Sequence, residues 1–238
     1  MVGSILPLCL RDAQVIKRGK LILGPLTFDL KGKGLTTLLG PNGSGKTTFL
    51  RAIHGLERLR HGTIEWARPD LEARRLQAFV FQSPIILRRS VIDNIAYPLL
   101  IAGIEKRRAQ MRAADMAATL GLQDLLGVPA IAISGGEKQK LSLARALISE
   151  PQVLFLDEPC ANLDGTATKE IETILQAQRE KGTRIIMSTH NVAQARRLAD
   201  DVLFLYEGLL HDQGPAGSFF TTPKTAEALA FISGEILP

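Results

Sequence analysis

The chain has few of the residues that mark several protein classes. Only two of its 238 residues are cysteine and 5% are aromatic. Two cysteines are too few for the disulfide framework of a small secreted domain, and they suggest a reducing compartment. No apolar run reaches the roughly 18 residues of a membrane-spanning helix. The apolar N-terminus is interrupted at Arg11, so it resembles an opening strand more than a secretion signal.

The excess of positive charge is small and scattered. The 29 basic residues are offset by 24 acidic ones, which leaves a net charge of +5. No stretch interleaves basic with aromatic side chains, so nucleic acid is not predicted as a partner. Apolar residues make up 45% of the chain. A chain of this size and composition suits one large α/β domain, or a domain with a subdomain.

Short apolar segments alternate with segments of helical periodicity along most of the chain. Strands are predicted at 34–40, 78–82, 152–159, 183–190 and 201–208. Such alternation is typical of a parallel sheet with helices on both faces, so the predicted fold class is α/β.

Residues 83–150 differ from the rest because helical patterns dominate them. We therefore predict three parts. Residues 1–82 and 151–238 form the N-terminal and C-terminal parts of the α/β core, and residues 83–150 form an α-helical subdomain inserted into it.

The stretch GPNGSGKTT matches the phosphate-loop pattern G-x-x-x-x-G-K-[ST], between a predicted strand and a predicted helix. Glycines let successive N–H groups turn towards phosphate oxygens, and the start of the helix adds roughly half a positive charge. Lys46 is predicted to neutralise the β- and γ-phosphates, and the Thr47 hydroxyl to ligate Mg²⁺. The residues predicted to bind the nucleotide here are Gly40, Pro41, Asn42, Gly43, Ser44, Gly45, Lys46, Thr47 and Thr48.

Two adjacent carboxylates end the apolar segment VLFLDEP. Asp157 is predicted to hold Mg²⁺, mostly through water, and Glu158 to activate the attacking water as a general base. His190 ends the segment IIMSTH. Ligands of such sheets lie beyond the carboxyl ends of the strands, so His190 is predicted to reach the γ-phosphate.

The motifs GPNGSGKTT, VFQ, ISGGE, FLDEP, ANLD and STH occur in this order. With them the chain resembles the ATP-binding subunit of an ABC transporter over nearly its whole length. The resemblance implies a P-loop NTPase with a RecA-like parallel sheet, an antiparallel β part and an inserted helical subdomain. It also implies ATP hydrolysis with ATP and Mg²⁺ bound.

The resemblance implies further site residues. Ser134, Gly135 and Gly136 would cap the γ-phosphate bound by a second subunit, which suits N–H groups at the start of a helix. Gln82 would connect Mg²⁺ and the attacking water to the helical subdomain. Asp164 would lie across the dimer from the other phosphate loop.

The resemblance also implies the partners. Two copies would form a homodimer in the ATP-bound state, on the cytoplasmic face of the inner membrane. A separate transmembrane permease would dock on residues 83–99, and an extracytoplasmic binding protein would deliver the substrate. The alternative for Gln82, Asp164 and residues 83–99 is ordinary core together with solvated charge.

The chain departs from the family at three places. Glu137 stands where glutamine is commonest, a mild change. Members usually carry an aromatic residue that stacks on adenine, whereas this chain has Lys17 and Arg18 there. Arg18 is the candidate to stack through its planar guanidinium, and base selectivity is left open. Cys160 is either a small buried residue or an oxidation-sensitive thiol beside the site.

The substrate is suggested by resemblance alone. The stretches after the phosphate loop, around 81–99 and near the C-terminus are similar to those of bacterial tungstate importers. Importers of phosphate and of polar amino acids are alternatives, as is an ABC module that extracts lipid-linked cargo. An ABC ATPase acting on nucleic acid or ribosomes is disfavoured, because the motifs occur once and no long coiled coil separates them.

Overall fold

The computed structural model describes residues 3–235. The strands are β1 Leu8–Lys17, β2 Lys20–Leu30, β3 Leu35–Leu39, β4 His61–Trp66, β5 Gln77–Val80, β6 Val153–Asp157, β7 Arg184–Thr189, β8 Asp201–Tyr206 and β9 Leu209–Pro215. The α-helices are α1 Lys46–His54, α2 Asp70–Arg75, α3 Val91–Ile101, α4 Lys106–Thr119, α5 Gly135–Leu147, α6 Gly165–Glu180, α7 Val192–Leu198, α8 Ala216–Thr221 and α9 Ala226–Ser233. None of these helices is long and apolar enough to cross a membrane.

Two sheets carry the fold. The larger has the order β5-β6-β7-β3-β8-β9, in which the first five strands are parallel and β9 is antiparallel to β8. The smaller is antiparallel, with the order β2-β1-β4. The predicted α/β class, a parallel core with an antiparallel part, is confirmed.

The central strands are buried on both faces. All residues of β3, β6 and β7 are buried, as expected where helices cover both sides of a parallel sheet. Parallel pairing aligns the carboxyl ends of the strands. Leu39 pairs with Thr189, and Asp157 pairs with Ser188. Segments that follow these strands therefore meet at one edge of the sheet.

Three helices pack together in the region predicted as the subdomain. α4 presents Ala109, Ala113 and Ala117 at intervals of four, all 0% exposed. Residues four apart share a helix face, and these small side chains let α4 lie close to its neighbours. Helices α3, α4 and α5 all lie within 83–150, and the division of the chain into a core and an inserted subdomain stays a prediction.

His54 lies in an aromatic cluster at the end of α1. Its ring is edge-on to the rings of Phe79 and Phe155, each with a centroid 5.4 Å away. Its Nδ1 is buried and has no hydrogen-bond partner among residues 3–235. Burial, with a smaller contribution from Arg74, lowers the pKa of His54 from 6.5 to about 4. The core therefore holds this ring in its neutral form.

The low pKa of His54 predicts an acid-dependent loss of stability. As pH falls, the unfolded chain takes up this proton near 6.5 but the folded chain only near 4. The stabilisation is thus complete above the unfolded pKa and is lost between these values. The quantity to measure is the free energy of unfolding in urea of the wild type minus that of His54→Leu. We expect this difference to fall by about 2 kcal/mol from about pH 7.5 to about pH 5. His61→Leu, a change at an exposed histidine, is the control. The difference between the wild type and this variant should not depend on pH in the same way. An equal fall there would assign the effect to a group other than His54.

Candidate active site

The phosphate loop connects β3 to α1 through glycines whose conformations other residues rarely adopt. Gly40 has φ 155°, and a Cβ there would lie 2.1 Å from the carbonyl oxygen of Leu205. Gly45 has φ 100° and begins α1. A side chain at Gly40 would force β8 away, so glycine is required for this approach. The loop and the N-terminus of α1 together form a concave anion site.

The Lys46 side chain lies inside this loop and is only 5% exposed. Its Nζ donates hydrogen bonds to the carbonyl oxygens of Gly40, at 2.9 Å, and Pro41, at 2.8 Å. Burial lowers the pKa of Lys46, whereas Glu158, with Oε1 at 3.6 Å, acts in the opposite direction. Phosphate oxygens in the loop would be further acceptors for this ammonium.

Oxygen ligands suited to Mg²⁺ lie where β6 ends. The hydroxyl of Thr47 donates to Asp157 Oδ1 at 3.1 Å, and the hydroxyl of Ser188 donates to the same oxygen at 2.7 Å. Asp157 is 3% exposed, and its position is fixed by both bonds. In the described part of the chain, no cluster of three or more His, Cys, Asp or Glu side chains could hold a metal. A site with one carboxylate and one hydroxyl nevertheless fits Mg²⁺, which keeps several waters and binds substrate phosphates.

Glu158 turns towards the same edge of the sheet because its backbone is left-handed. Its φ is 45°, a strained value for a residue with a side chain, and its N–H donates to Ser188 Oγ at 3.0 Å. The carboxylate contacts Lys46 on one side, and on the other its Oε2 lies 3.0 Å from His190 Nδ1. His190 is 51% exposed, so this carboxylate lies between a buried cation and the opening to solvent.

These groups border a cavity of about 670 Å³, a volume typical of small-molecule sites. The residues that line it come from β2, the phosphate loop with the start of α1, the segments after β5 and β6, the end of β7 with the segment that follows it, and the helices α6 and α7. They are Ile22, Asn42, Gly43, Gly45, Lys46, Thr47, Thr48, Gln82, Glu158, Cys160, Ala161, Asn162, Leu163, Thr168, Thr189, His190, Asn191 and Gln194.

The family model described as "ABC transporter" matches residues 23–161. This is more than half of the chain. The chain belongs to the ABC transporter family. Membership implies ATP hydrolysis, and members normally bind ATP with Mg²⁺, in agreement with the oxygen ligands around Asp157.

Relatives of this ABC protein include ATP-binding proteins named for the uptake of tungstate and of phosphate. The tungstate uptake system ATP-binding protein TupC of Peptoclostridium acidaminophilum is 41% identical over 197 residues, 82% of this chain and 90% of the relative. The phosphate import ATP-binding protein PstB of Mycoplasmoides gallisepticum is 33% identical over 237 residues, 92% of this chain and 73% of the relative. Among solved structures, cbiO1 from Clostridium perfringens, part of the ABC transporter complex cbiONQ, is 26% identical with a TM-score of 0.81, covering 90% of each chain.

The structure of this ABC protein brings most of the predicted site residues together. Gly40, Pro41 and Ser44 belong to the phosphate loop without lining the cavity, and Asp157 lies behind Thr47.

Arg18 is on the β1–β2 turn with φ 51°. It is not among the described residues that line the cavity, whereas Ile22 is. The stacking role of Arg18 stays a prediction.

The residues predicted to complete the site of a second subunit, Ser134, Gly135, Gly136 and Asp164, do not line the cavity of their own chain. Ser134 and Gly135 are exposed at the start of α5. A Cβ on Gly136 would lie 3.2 Å from that of Ala167, near the start of α6. Asp164 accepts a hydrogen bond from the Ala167 N–H at 2.8 Å and caps α6. An exposed position is what a role in a second subunit requires, and that role stays a prediction.

Two side-chain contacts of the site residues were not predicted from the sequence. Ser134 and Glu137 form a capping box, in which the Ser134 N–H donates to Glu137 Oε2 at 2.7 Å and Ser134 Oγ accepts from the Glu137 N–H. The S-x-x-E spacing signals such a box, so the sequence held this information. Ser188, which holds Asp157, had no such signal, because its contact depends on the β6–β7 register.

Cys160 lines the cavity but has an unreactive environment. Burial raises the pKa of its thiol to about 11, and a hydrogen bond with Gln194 opposes this shift. The thiolate is the reactive form of cysteine. At neutral pH this thiol therefore stays protonated, which argues against the oxidation-sensitive alternative and favours a packing role.

Proposed function

We propose that this chain is the ATP-hydrolysing subunit of an importer, and that it dimerises around two MgATP to drive a separate permease that takes up tungstate. The observation that supports hydrolysis is the grouping of Lys46, the Thr47–Asp157 pair and the Glu158–His190 pair around one cavity. A cation, a metal-ligand set and a carboxylate base are the parts that phosphoryl transfer to water needs.

Each of these side chains has a distinct task in the proposed reaction. Lys46 would exchange its carbonyl partners for phosphate oxygens and offset their charge. Glu158 would accept a proton from the attacking water, while His190 would hold that carboxylate and the γ-phosphate in place. Mg²⁺, held by Thr47, Asp157 and Gln82, would supply charge neutralisation of the phosphates.

The second half of each ATP site would come from another copy of the chain. Ser134, Gly135 and Gly136 offer a hydroxyl and N–H groups at a helix N-terminus. Asp164 lies near them, since a Cβ on Gly136 would be 3.2 Å from that of Ala167, whose N–H donates to Asp164. Bound ATP would join the two subunits and hydrolysis would release them. The closing movement would reach the permease through residues 83–99, and an extracytoplasmic binding protein would deliver the substrate.

Tungstate is proposed because the TupC relative, by its name the ATP-binding protein of a tungstate uptake system, is 41% identical over 82% of this chain. The PstB relative favours phosphate as the second candidate, since it is 33% identical over 92% of the chain. An ATPase subunit of this type lies away from the transported ion. The choice therefore requires measurement in cells.

Cellular uptake would test the substrate. We expect cells with the intact gene to accumulate tungsten from nanomolar tungstate, and cells carrying Glu158→Gln to lose this uptake, because the permease is no longer driven. Excess phosphate should not compete. Tungsten uptake equal in both strains would exclude tungstate as the substrate, and the same pair of strains would then be compared for phosphate uptake.

A further inference from the structure

Residues 85–90 form an irregular segment that links the edge of the sheet to α3. The segment has no helix or strand, and half of its side chains are exposed: Ile85, at 53%, and Arg88 and Arg89, whereas Ile86 packs against the core. Its backbone, in contrast, is held by hydrogen bonds from three other parts of the subdomain.

Asn94 on α3 holds the segment from one side. Its side chain is 0% exposed. Its Oδ1 accepts from the Leu87 N–H at 2.9 Å, and its Nδ2 donates to the carbonyl oxygens of Leu87, Arg89 and Ser90 at 3.1, 3.3 and 2.9 Å. Only a side-chain amide offers both an acceptor and two donors at one point. This is more contact than the capping of α3 requires, since Ser90 already accepts from the Asp93 N–H.

Arg145 on α5 holds the segment from the other side. Its guanidinium donates to the carbonyl oxygen of Ile85 at 2.5 Å across 60 positions of sequence. Ser134 caps the same helix. Arg145 therefore connects the segment to the helix whose first residues are the proposed anion site, about 16 Å further along the helix axis.

A second connection runs through the chain just before Ser134. The Ala130 N–H donates to the carbonyl oxygen of Arg89 at 2.9 Å, and the Val91 N–H donates to that of Val128 at 3.0 Å. Only three residues separate Ala130 from Ser134. A displacement of the segment would thus reach Ser134 by two routes. One runs along the chain from Ala130, and the other runs from Arg145 through α5.

We infer that Asn94 and Arg145 are positioning residues that hold the segment 85–90, the loop residues 128–130 and α5 as one rigid unit, so that the segment determines where Ser134 lies. The inference rests on the proposed function, in which Ser134 completes another subunit's ATP site. It extends that function by naming the residues that would transmit a movement of the exposed segment to Ser134 and so to the ATP site of the other subunit.

Hydrogen exchange and ATPase kinetics of the full chain test this role together. In Arg145→Met, we expect amide exchange to rise about tenfold in peptides covering 85–90 and in those covering 128–134, because a charge-assisted bond is lost. We expect kcat for ATP to fall about tenfold and KM to change less than about twofold, since the groups around the cavity are untouched. Arg145→Lys, which keeps a cationic donor, should recover part of both losses.

Arg112→Met is the matched control. Arg112 also donates to a backbone carbonyl of the subdomain, that of Ile148 at 3.2 Å, and its other hydrogen bond among residues 3–235 goes to Glu150 rather than to the segment. It should leave exchange at 128–134 and kcat near wild type. Asn94→Asp, which sets a carboxylate against three carbonyl oxygens, should repeat the effects of Arg145→Met; if it does not fold, Arg145→Met decides the question alone.

Three results would overturn the inference or separate it from the proposed function. Faster exchange confined to 85–90 with unchanged kcat would show that the segment does not position Ser134. Equal losses in Arg112→Met would show a general weakening of the subdomain. If the wild-type chain does not hydrolyse ATP, the proposed function fails, while exchange at 128–134 still reports whether the unit is rigid.

Discussion

Glu158→Gln is expected to stop ATP hydrolysis and to trap a dimer with ATP bound. Glutamine has nearly the same shape and keeps the backbone at φ 45°, but it cannot take the proton from water. Loss of a general base lowers the rate by roughly 10²–10⁴-fold. The neutral amide also removes a carboxylate 3.6 Å from Lys46, which leaves the ammonium freer to bind phosphate. Light scattering with MgATP should show the mass of the chain doubling, and a phosphate-release assay should show almost no turnover.

Glu150→Gln provides the control for this experiment. Glu150 also has a left-handed backbone, with φ 53°, and lies just before β6 at the opposite end from Glu158. The same chemical change there should leave hydrolysis at the wild-type rate and give no stable dimer. Normal turnover in Glu158→Gln, with a mass that ATP does not alter, would remove Glu158 from the role of base.

Local sequence was enough to predict the parts of the site that a single chain segment builds. The phosphate loop needs a strand, glycines and a helix in succession, and all of these are encoded within residues 34–55. The apolar run before Asp157 likewise identified a buried strand that ends in carboxylates. In such segments the burial pattern, the turn residues and the helix start all favour the same conformation.

Contacts between distant segments could not be predicted in this way. Ser188 reaches Asp157 only because β6 and β7 pair in one register, and Arg145 reaches Ile85 only after the subdomain has folded. The left-handed conformation of Glu158 also has no local signal, since non-glycine residues rarely adopt it. It is the tertiary structure around the strand end that maintains this strain.

Mixing two inactive variants is expected to restore activity if the sites are shared between subunits. Lys46→Ala removes the phosphate ligand of the loop, and Ser134→Asp places a carboxylate against the γ-phosphate, a repulsion that costs several kcal/mol. Aspartate remains a good N-cap, so α5 should keep its start. In a head-to-tail dimer of one chain of each kind, one site receives both changes and the other receives neither. The mixture should therefore hydrolyse ATP about tenfold faster than either variant alone, or more.

The reciprocal mixture makes this test decisive. A chain carrying both changes, paired with a wild-type chain, places one defect in each shared site, so this heterodimer should have no complete site. If each chain instead formed its own site, the outcome would be reversed: the wild-type partner would remain active and the two single variants would stay inactive together. Thr225→Asp, the same type of change at the N-cap of α9, should leave turnover unaltered in either mixture. The pattern across the mixtures thus separates composite sites from independent ones without knowledge of the permease or its substrate.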